Sequence, residues 1–320
     1  MKFSKDFKKI KGDASFRKFY RNIKKNSIIV FANKEKNKNL LIYDAINKIL
    51  IKNNVIAPKL LRENYKKNYI EIQDLGKKTI YQIFVNNNKD LYLLLKKAIQ
   101  VLNKIQSIKD KKIKNFRNEL YKIKDYKNKI LLDEAKLFSD WYASRKLTKK
   151  KLNIFNNKFN KEIRLLLLKL NFRNDTLVHR DFHVSNLIIN SKNQIGLIDN
   201  QDALIGNKAY DLASLIDDVR YKTPKSVKDK VYNYYLKNNK KIDVGKFKND
   251  FDILSVLRNL KIIGIFVRLA ERDKKRKYLK LIPYAWKMID NRMSKNKVLD
   301  NLRLLLISNF PKFLTKQYEN

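Results

Sequence analysis

Residues Thr176 to Asp202 read T-L-V-H-R-D-F-H-V-S-N-L-I-I-N-S-K-N-Q-I-G-L-I-D-N-Q-D. Two apolar runs in this stretch, Leu187 to Ile189 and Ile195 to Ile198, flank the polar turn Asn190 to Gln194, a pattern that predicts a β-hairpin. The segment Thr176 to Val178 predicts a short strand that leads into the stretch. A hairpin would hold the polar residues that flank it side by side, which a flexible loop could not do.

These polar residues match the spacing H-R-D-x-x-x-x-N, followed by an aspartate that ends the next strand. This is the arrangement of a kinase catalytic loop. Phosphoryl transfer needs a carboxylate that orients the attacking hydroxyl and accepts its proton, and Asp181 is the candidate. It also needs oxygen ligands for Mg²⁺, for which Asn186 and Asp199 are the candidates. The alternative is a chance H-R-D before an ordinary buried hairpin, which the asparagine in register and the closing aspartate disfavour.

The 320 residues are enough for one large domain or for two lobes with a buried core. The sequence contains no cysteine, which excludes disulfides and thiolate metal sites. Its two histidines, His179 and His183, both lie in the catalytic stretch, which excludes a multi-histidine metal centre. The first residues lack an apolar signal core, and no apolar run approaches the roughly 18 residues of a membrane span. We therefore expect a cytoplasmic protein without a membrane partner.

The 74 basic and 31 acidic residues give a formal net charge of +43. Such a charge ordinarily suggests nucleic acid as a partner. Here the lysines are scattered over every segment instead of forming one stripe. Lysine, asparagine and isoleucine are also enriched together, the pattern expected when an AT-rich genome biases codon choice. We therefore do not expect a nucleic-acid partner, and predict a monomer whose positive field helps to draw in an anionic nucleotide or sugar.

The first 75 residues predict a small lobe. Three strands are predicted between Phe7 and Ala32, with the turn G-D-A-S-F-R (Gly12 to Arg17) between the first two. This turn could lay backbone N–H groups over phosphates, and an ordinary hairpin turn is the alternative. Asn39 to Ile51 predicts an amphipathic helix. Tyr69 to Ile72 predicts a strand, and Gln73 to Gly76 a turn that would be the hinge whose backbone meets adenine.

The basic residue that contacts phosphate is left open by the sequence. Kinases usually carry a lysine on the third strand, but Ser27 to Ala32 contains none. Lys34 lies just past this strand, and Arg17 and Arg21 lie on the strand after the turn. Asp74 could pair with a basic residue, or could be solvated or cap an element.

The remainder of the chain is predominantly helical by its apolar spacing. The segment Leu131 to Leu147 mixes aromatic and charged residues, among them Glu134 and Trp141, which suits a sugar-binding wall. The alternative is that Phe138 and Trp141, three positions apart, form one core-facing helix stripe.

Another helix is predicted over Asn207 to Arg220. Its Asp211 could bond the backbone of the catalytic loop or lie on the helix surface. A further amphipathic helix carries Arg258, Lys261 and Arg268, which could line one edge of a site or form a solvated face.

With these residues laid out, the chain resembles the aminoglycoside phosphotransferase and choline kinase superfamily. Within it, the chain is most similar to the anomeric sugar kinases that act on N-acetylmuramate and N-acetylglucosamine in cell-wall recycling. The matching segments are G-D-A-S-F-R-K-F-Y-R (Gly12 to Arg21), Q-D-L-G (Gln73 to Gly76), L-F-S-D-W-Y (Leu137 to Tyr142), L-V-H-R-D-F-H-V-S-N-L (Leu177 to Leu187), L-I-D-N-Q-D-A (Leu197 to Ala203), A-Y-D-L-A-S-L-I-D-D-V-R (Ala209 to Arg220) and R-N-L-K-I-I-G-I-F-V-R-L (Arg258 to Leu269). Together they span nearly the whole chain in order.

The resemblance implies an α+β, two-lobed protein-kinase-like fold. A small N-terminal antiparallel sheet plus helix would occupy residues 1–75, and a larger, mostly helical C-terminal lobe residues 76–320. It also implies transfer of the γ-phosphoryl group of ATP, with Mg²⁺, to a sugar hydroxyl, most closely the anomeric C1 hydroxyl of N-acetylmuramate or N-acetylglucosamine. Asp181 would then be the catalytic base, and Asn186 and Asp199 would hold Mg²⁺. The ATP-binding candidates are Ser15, Phe16, Arg17, Gln73, Asp74 and Leu75, and the substrate-binding or supporting candidates are His179, His183, Glu134, Trp141, Asp202, Asp211 and Arg220.

One position departs from this family pattern. Asn200 stands where this branch tends to have an aromatic residue after the metal aspartate. An aromatic side chain there packs the metal loop against the lobe, so the packing of the loop and the turnover rate are open.

Three other functions are weighed against a sugar kinase. The first is a kinase of the same fold for another hydroxyl, on an aminoglycoside, choline or homoserine. An aminoglycoside is disfavoured, because no acidic cluster that would bind a polycationic drug is visible near Leu131 to Leu147. The second is a basic nucleic-acid-binding protein on a degenerate scaffold, which the intact Asp181, Asn186 and Asp199 disfavour. The third is a pseudokinase that binds nucleotide without transferring phosphate.

Overall fold

The computed structural model describes residues 5–10, 17–32, 35, 38–86 and 90–311. The chain divides into two compact units, the first made of Met1–Lys124 and Thr176–Ile205 and the second of Asp125–Asp175 and Gly206–Asn320. The catalytic stretch therefore belongs to the same compact unit as the N-terminal sheet. The boundary that we predict after residue 75 lies inside this first unit.

An antiparallel five-stranded sheet begins the first unit, as predicted. Its strands are β1 (Phe7–Ile10), β2 (Arg17–Asn22), β3 (Ser27–Ala32), β4 (Leu60–Asn64) and β5 (Tyr69–Gln73), in the order β1-β2-β3-β5-β4. The β-branched and aromatic residues of β3 favour a strand with both faces covered, and this strand lies in the middle of the sheet.

The predicted amphipathic helix is α1 (Asn39–Lys52). The side chains of this helix that meet the sheet belong to one buried cluster, which comprises Val30, Ala32, Leu40, Tyr43, Ile70 and Ile72. Burial of the helix extends to polar residues, since Asn47 is only 2% exposed. An apolar period alone does not predict that an asparagine is buried there.

The predicted hairpin is confirmed. Its strands β10 (Leu187–Ile189) and β11 (Ile195–Leu197) pair with Leu187 opposite Leu197. Gly196 permits a close approach, because a Cβ atom there would lie 2.8 Å from Cδ1 of Leu75. The remaining elements of this unit are β6 (Lys78–Thr79), α2 (Ile80–Asn86), α3 (Leu91–Ser107), β7 (Lys112–Lys114), β8 (Leu120–Lys122), β9 (Thr176–Val178) and β12 (Leu204–Gly206). Strand β6 joins the hairpin beside β10, and β9 pairs with β12.

The second unit is helical in its described residues. Its helices are α4 (Asn128–Leu137), α5 (Lys149–Leu168), α6 (Ala209–Ile216), α7 (Lys225–Asn238), α8 (Val244–Glu271), α9 (Ile282–Met293) and α10 (Asp300–Asn309). The 28-residue helix α8 contacts α4, α6 and α9 and is buried over most of its length. Within the described part of the chain, no helix combines the length and the apolar character needed to cross a membrane.

A π-helical turn, Phe138–Tyr142, follows α4. It stacks the ring of Phe138 on that of Tyr142, with centroids 5.1 Å apart, inside an aromatic cluster that includes Trp286 and Phe310. The core partner of Phe138 in this turn is therefore Tyr142, and Trp141 is only half-buried. An extra residue in the turn shifts the helical period, which explains why a spacing of three does not place Phe138 and Trp141 on one core stripe.

Candidate active site

The catalytic loop begins where β9 ends and folds back on its own backbone. The N–H of His183 donates to the carbonyl oxygen of Asp181 (3.0 Å), and Nδ2 of Asn186 donates to the same oxygen (3.1 Å). Arg180 has a φ of 74°, a left-handed conformation that turns the chain between the strand and the loop. These contacts bring the predicted base, Asp181, together with the predicted metal ligand Asn186.

The hairpin brings the second predicted metal ligand to the same place. The N–H of Ile198 donates to the carbonyl oxygen of Asn186 (3.1 Å), one step beyond the pairing of Leu187 with Leu197. Asp199 follows Ile198 directly, so the two predicted ligands stand at one end of the hairpin, where its two strands meet the catalytic loop and the next turn.

Both side chains keep an oxygen atom available for a cation. Nδ2 of Asn186 is used by the carbonyl oxygen of Asp181, which leaves Oδ1 as an acceptor to which no described residue donates. Oδ1 of Asp199 accepts from Arg17 and Gln201, whereas Oδ2 receives no hydrogen bond from the described part of the chain. Amide and carboxylate oxygens suit Mg²⁺, which keeps several waters and takes few protein ligands beside substrate phosphates. The donor set therefore fits Mg²⁺.

Arg17 is the basic residue that meets the predicted metal aspartate. Its Nη2 lies 2.8 Å from Oδ1 of Asp199, and its side chain is only 5% exposed. The guanidinium also lies 5.8 Å from the ring centroids of Phe19 and Tyr43, within the range of a cation–π contact. Burial raises the pKa of Tyr43 to about 12, although Arg17 opposes this shift, so the phenol stays neutral. Lys34 lies outside the described residues.

Arg21 is committed to the predicted hinge. Its guanidinium forms an ion pair with both carboxylate oxygens of Asp74, and Nη2 also donates to the carbonyl oxygen of Gly76 (2.9 Å). The backbone N–H of Gln73 donates to Lys59 (2.8 Å) and that of Asp74 to Asn26 (3.1 Å).

The hinge backbone therefore has one N–H group left over. Of the three candidates Gln73, Asp74 and Leu75, only Leu75 has an N–H without an acceptor among the described residues. Ser15 and Phe16, the other ATP-binding candidates beside Arg17, lie outside the described residues.

His179 links the two halves of the site. Its Nδ1 accepts the backbone N–H of Asp181 (3.3 Å), and its Nε2 lies 3.1 Å from the carbonyl oxygen of Ile198 and 2.9 Å from Oδ1 of Asn200. A carbonyl oxygen only accepts, so Nε2 donates while Nδ1 accepts. One imidazole therefore hydrogen-bonds the backbone of Asp181 in the catalytic loop and that of Ile198, which precedes Asp199.

Asp202 lies in the turn after Asp199. Its side chain accepts from Nε2 of Gln201 (2.7 Å), which also reaches Asp199 (3.1 Å), and its carbonyl oxygen accepts from Arg180 (3.1 Å). His183, the other supporting candidate, is buried beside Asn186, with Nε2 3.4 Å from Nδ2 of that residue.

The remaining candidates belong to the second unit. Glu134 is held by Lys261 (3.0 Å) and by the hydroxyl of Tyr126. Asp211 is fully buried in α6, and Arg220 pairs with Asp218 (3.2 Å). Asp211 is thus not on a helix surface.

Two features of the site have little signal in the sequence. The ion pair between Arg17 and Asp199 joins residues 182 positions apart. Asn47 contacts Asn200, but in the sequence it stands out only as a polar residue on the apolar face of α1. In neither case does a local pattern indicate the partner.

The fold and this catalytic loop define a phosphotransferase with a kinase-like α+β fold. The family model described as APH, phosphotransferase enzyme family, matches residues 6–242, and the chain belongs to this family. The chain is similar to the N-acetylmuramate/N-acetylglucosamine kinase of Pseudomonas aeruginosa, at 26% identity over 303 residues that cover 92% of this chain and 86% of the relative.

Solved structures agree on the fold. A choline/ethanolamine kinase family protein from Mesorhizobium loti has a TM-score of 0.64 at 10% identity, covering 94% of this chain and 92% of that chain. Spectinomycin phosphotransferase in complex with ADP and spectinomycin has a TM-score of 0.57 at 16% identity, covering 88% and 92%. The family match makes the chain a small-molecule kinase, and the spectinomycin phosphotransferase among the structural neighbours is bound to ADP.

Proposed function

We propose that the protein transfers the γ-phosphoryl group of ATP, with Mg²⁺, to a sugar hydroxyl, and specifically to the anomeric C1 hydroxyl of N-acetylmuramate or N-acetylglucosamine. The observation that carries the reaction type is the placement of Asp181, Asn186 and Asp199 at one end of the hairpin. The identity of the sugar is inferred from the similarity to the Pseudomonas aeruginosa kinase, which covers most of both chains.

The proposed role of Asp181 follows from the motif, and those of Asn186, Asp199 and Arg17 also from the contacts of their side chains. Asp181 orients the attacking hydroxyl and accepts its proton. Asn186 and Asp199 would hold Mg²⁺, with Oδ1 and Oδ2 as their available oxygen atoms. The ion would supply positive charge that stabilises the charge developing on the transferred phosphate. Arg17 lies beside Asp199 and contacts the same phosphates, and the N–H of Leu75 is the hinge donor for adenine.

The substrate-side roles are proposals of the same kind. Trp141, which is half-buried, and Arg220 would contact the sugar, while Glu134, already paired with Lys261, and the buried Asp211 would support that surface. We also propose the division into lobes after residue 75, a monomeric state and a cytoplasmic location.

An ADP-release assay tests this function. The acceptors are N-acetylmuramate, N-acetylglucosamine, choline and kanamycin, and the phosphate of each product is located by ³¹P and ¹³C NMR. We expect turnover with at least one of the two sugars and phosphate on C1. Turnover with choline or kanamycin alone would overturn the sugar assignment. If none of the four acceptors supported ADP release, the proposal would be contradicted.

A further inference from the structure

We propose that Asn47 and Tyr43 of α1 form an anchor, the α1 anchor, that fixes the conformation of the metal-binding Asp199 through Asn200 and Arg17. This inference rests on the proposed function, because it assigns to Asp199 a metal ion that the anchor helps it to bind. Asn47 contacts Asn200 and Tyr43 contacts Arg17, so both would act through other residues and are positioning residues.

The first arm of the anchor is a pair of side-chain amides. Nδ2 of Asn200 donates to Oδ1 of Asn47 (2.8 Å) and to the carbonyl oxygen of Leu197 (3.2 Å), and its Oδ1 faces Nε2 of His179 (2.9 Å). Asn200 is fully buried, and each of its amide atoms has a partner. The residue that stands in place of an aromatic side chain is thus held by directional hydrogen bonds instead of by apolar packing.

The second arm runs through Tyr43, one turn before Asn47 on the same face of α1. The backbone of α1 joins the two residues. The Tyr43 ring lies 5.8 Å from the Arg17 guanidinium, which in turn contacts Asp199. The two arms leave neighbouring residues of one helix and end at neighbouring residues of the metal loop, so they form a closed ring of contacts.

The contacts on either side of Asp199 hold a left-handed backbone in place. Its φ is 65° and its ψ is 39°, a conformation that is uncommon outside glycine and that aspartate tolerates better than most residues. The residue before it is held at both its N–H, by Asn186, and its carbonyl oxygen, by His179. The residue after it is held by Asn47. Without the amide pair, the chain beyond Asp199 loses this side-chain hydrogen bond to α1.

The first experiment measures hydrogen–deuterium exchange without nucleotide. In the Asn47→Ala variant, the buried Nδ2 of Asn200 loses the nearer of its two acceptors, while alanine keeps the helix. We expect amide exchange in residues 198–201 to be faster by roughly tenfold. Exchange in this segment that matches the wild type would overturn the anchor, whatever the reaction of the enzyme.

The second experiment measures ADP affinity by calorimetry with and without magnesium. A positioning role predicts that Asn47→Ala reduces the magnesium-dependent gain in affinity by roughly tenfold and leaves the magnesium-free affinity unchanged. A role in stability alone would lower the melting temperature and leave the magnesium-dependent gain as it is. If the wild type shows no such gain, the proposed function fails, and the exchange experiment still decides the anchor.

Asn115→Ala is the matched control. Asn115 is also a buried asparagine of the first unit, with a side-chain oxygen that accepts the N–H groups of Arg117 and Glu119. This variant should lose stability without changing the magnesium-dependent gain. A double-mutant cycle with Asn200→Ala adds a further test. The two substitutions together should reduce the magnesium-dependent gain in ADP affinity by less than the sum of their separate effects. Strict additivity would contradict a shared contact.

Discussion

At the scale of single residues, Asp181 shapes its loop through its backbone. Its carbonyl oxygen accepts from His183 and Asn186, and its N–H donates to His179. A change confined to the carboxylate therefore leaves these hydrogen bonds in place. The loop should tolerate such a change far better than the reaction does.

We accordingly expect Asp181→Asn to lower kcat by about 10² to 10⁴-fold, the usual contribution of a general base, while ADP affinity remains close to that of the wild type. Steady-state kinetics and calorimetry measure the two quantities. Asp133→Asn, which changes an exposed carboxylate on α4, is the control and should leave both unchanged. Unaltered kcat in Asp181→Asn would remove Asp181 from the role of base.

Residues differ in how far the sequence predicts them. Asp181, Asn186 and Asp199 lie within one stretch of the chain, so their spacing and two apolar strands are enough to indicate that they converge. The partner of Asp199 is different, because Arg17 reaches it from another strand, 182 positions away. The sequence offers three basic candidates near the first strands and nothing that chooses among them. The structure pairs Arg17 with Asp199 and Arg21 with Asp74.

At the scale of elements, α8 depends on one small residue where it crosses the end of α4. A Cβ atom on Gly264 would lie 2.1 Å from the carbonyl oxygen of Leu137 and 2.7 Å from the N of Phe138, which are backbone atoms that cannot rotate away. The helix is therefore as close to the π-helical turn as its backbone permits.

Gly264→Ala should destabilise the protein by about 1–3 kcal/mol or more, since overpacking forces the two helices apart. The matched control is Gly245→Ala in the first turn of the same helix, where the added Cβ meets only the Asp243 carboxylate at an ordinary 3.5 Å. Alanine favours a helix over glycine, so this control should be neutral or slightly stabilising. Urea unfolding measures the free energy of unfolding of each variant. Equal values for Gly264→Ala and Gly245→Ala would show that the close approach does not limit stability.

The elements themselves follow the sequence where a period is regular. The hairpin, β3 and α1 are predicted because alternation or helical spacing extends over each of them. The π-helical turn is not predicted, because one additional residue per turn resembles ordinary helix in a window of apolar positions. The consequence is local but matters for function, since it gives Phe138 a different core partner and leaves Trp141 half-buried.

At the scale of the whole chain, a buried carboxylate in the second unit binds several helices together. Asp217 at the end of α6 accepts from Ser255 of α8 (2.6 Å), from Arg292 of α9 (2.8 Å) and from Lys228 of α7 (3.2 Å). Burial alone would raise the pKa of Asp217, but the adjacent Arg292 and Lys228 hold it well below its usual range. The carboxylate is therefore ionised in the folded protein.

This depressed pKa determines the sign of a pH effect. A carboxyl with a lowered folded-state pKa contributes stability above its unfolded value of 3.8, and that contribution is lost as the pH falls below it. Asp217→Asn leaves the buried Lys228 without its counter-charge and takes from Arg292 one of its two carboxylate partners, so it should cost about 3–5 kcal/mol at pH 7. The difference from the wild type should shrink by about 1.4 kcal/mol per pH unit below this value.

Urea unfolding between pH 3 and pH 7 measures this difference. Asp229→Asn on α7 changes an exposed carboxylate of the same region and should show no such narrowing. If the free energies of unfolding of the wild type and Asp217→Asn differed by the same amount from pH 7 down to pH 3, the ionised cluster would be contradicted.

The contact between Arg17 and Asp199 bears on how the protein can be handled. An acidic side chain that waits for a divalent ion usually repels its surroundings until the ion arrives, but here a guanidinium 2.8 Å away already balances it. We therefore expect the loop to keep its conformation when the purification buffer contains a chelator. On the proposed function, turnover should then return as soon as divalent salts are restored.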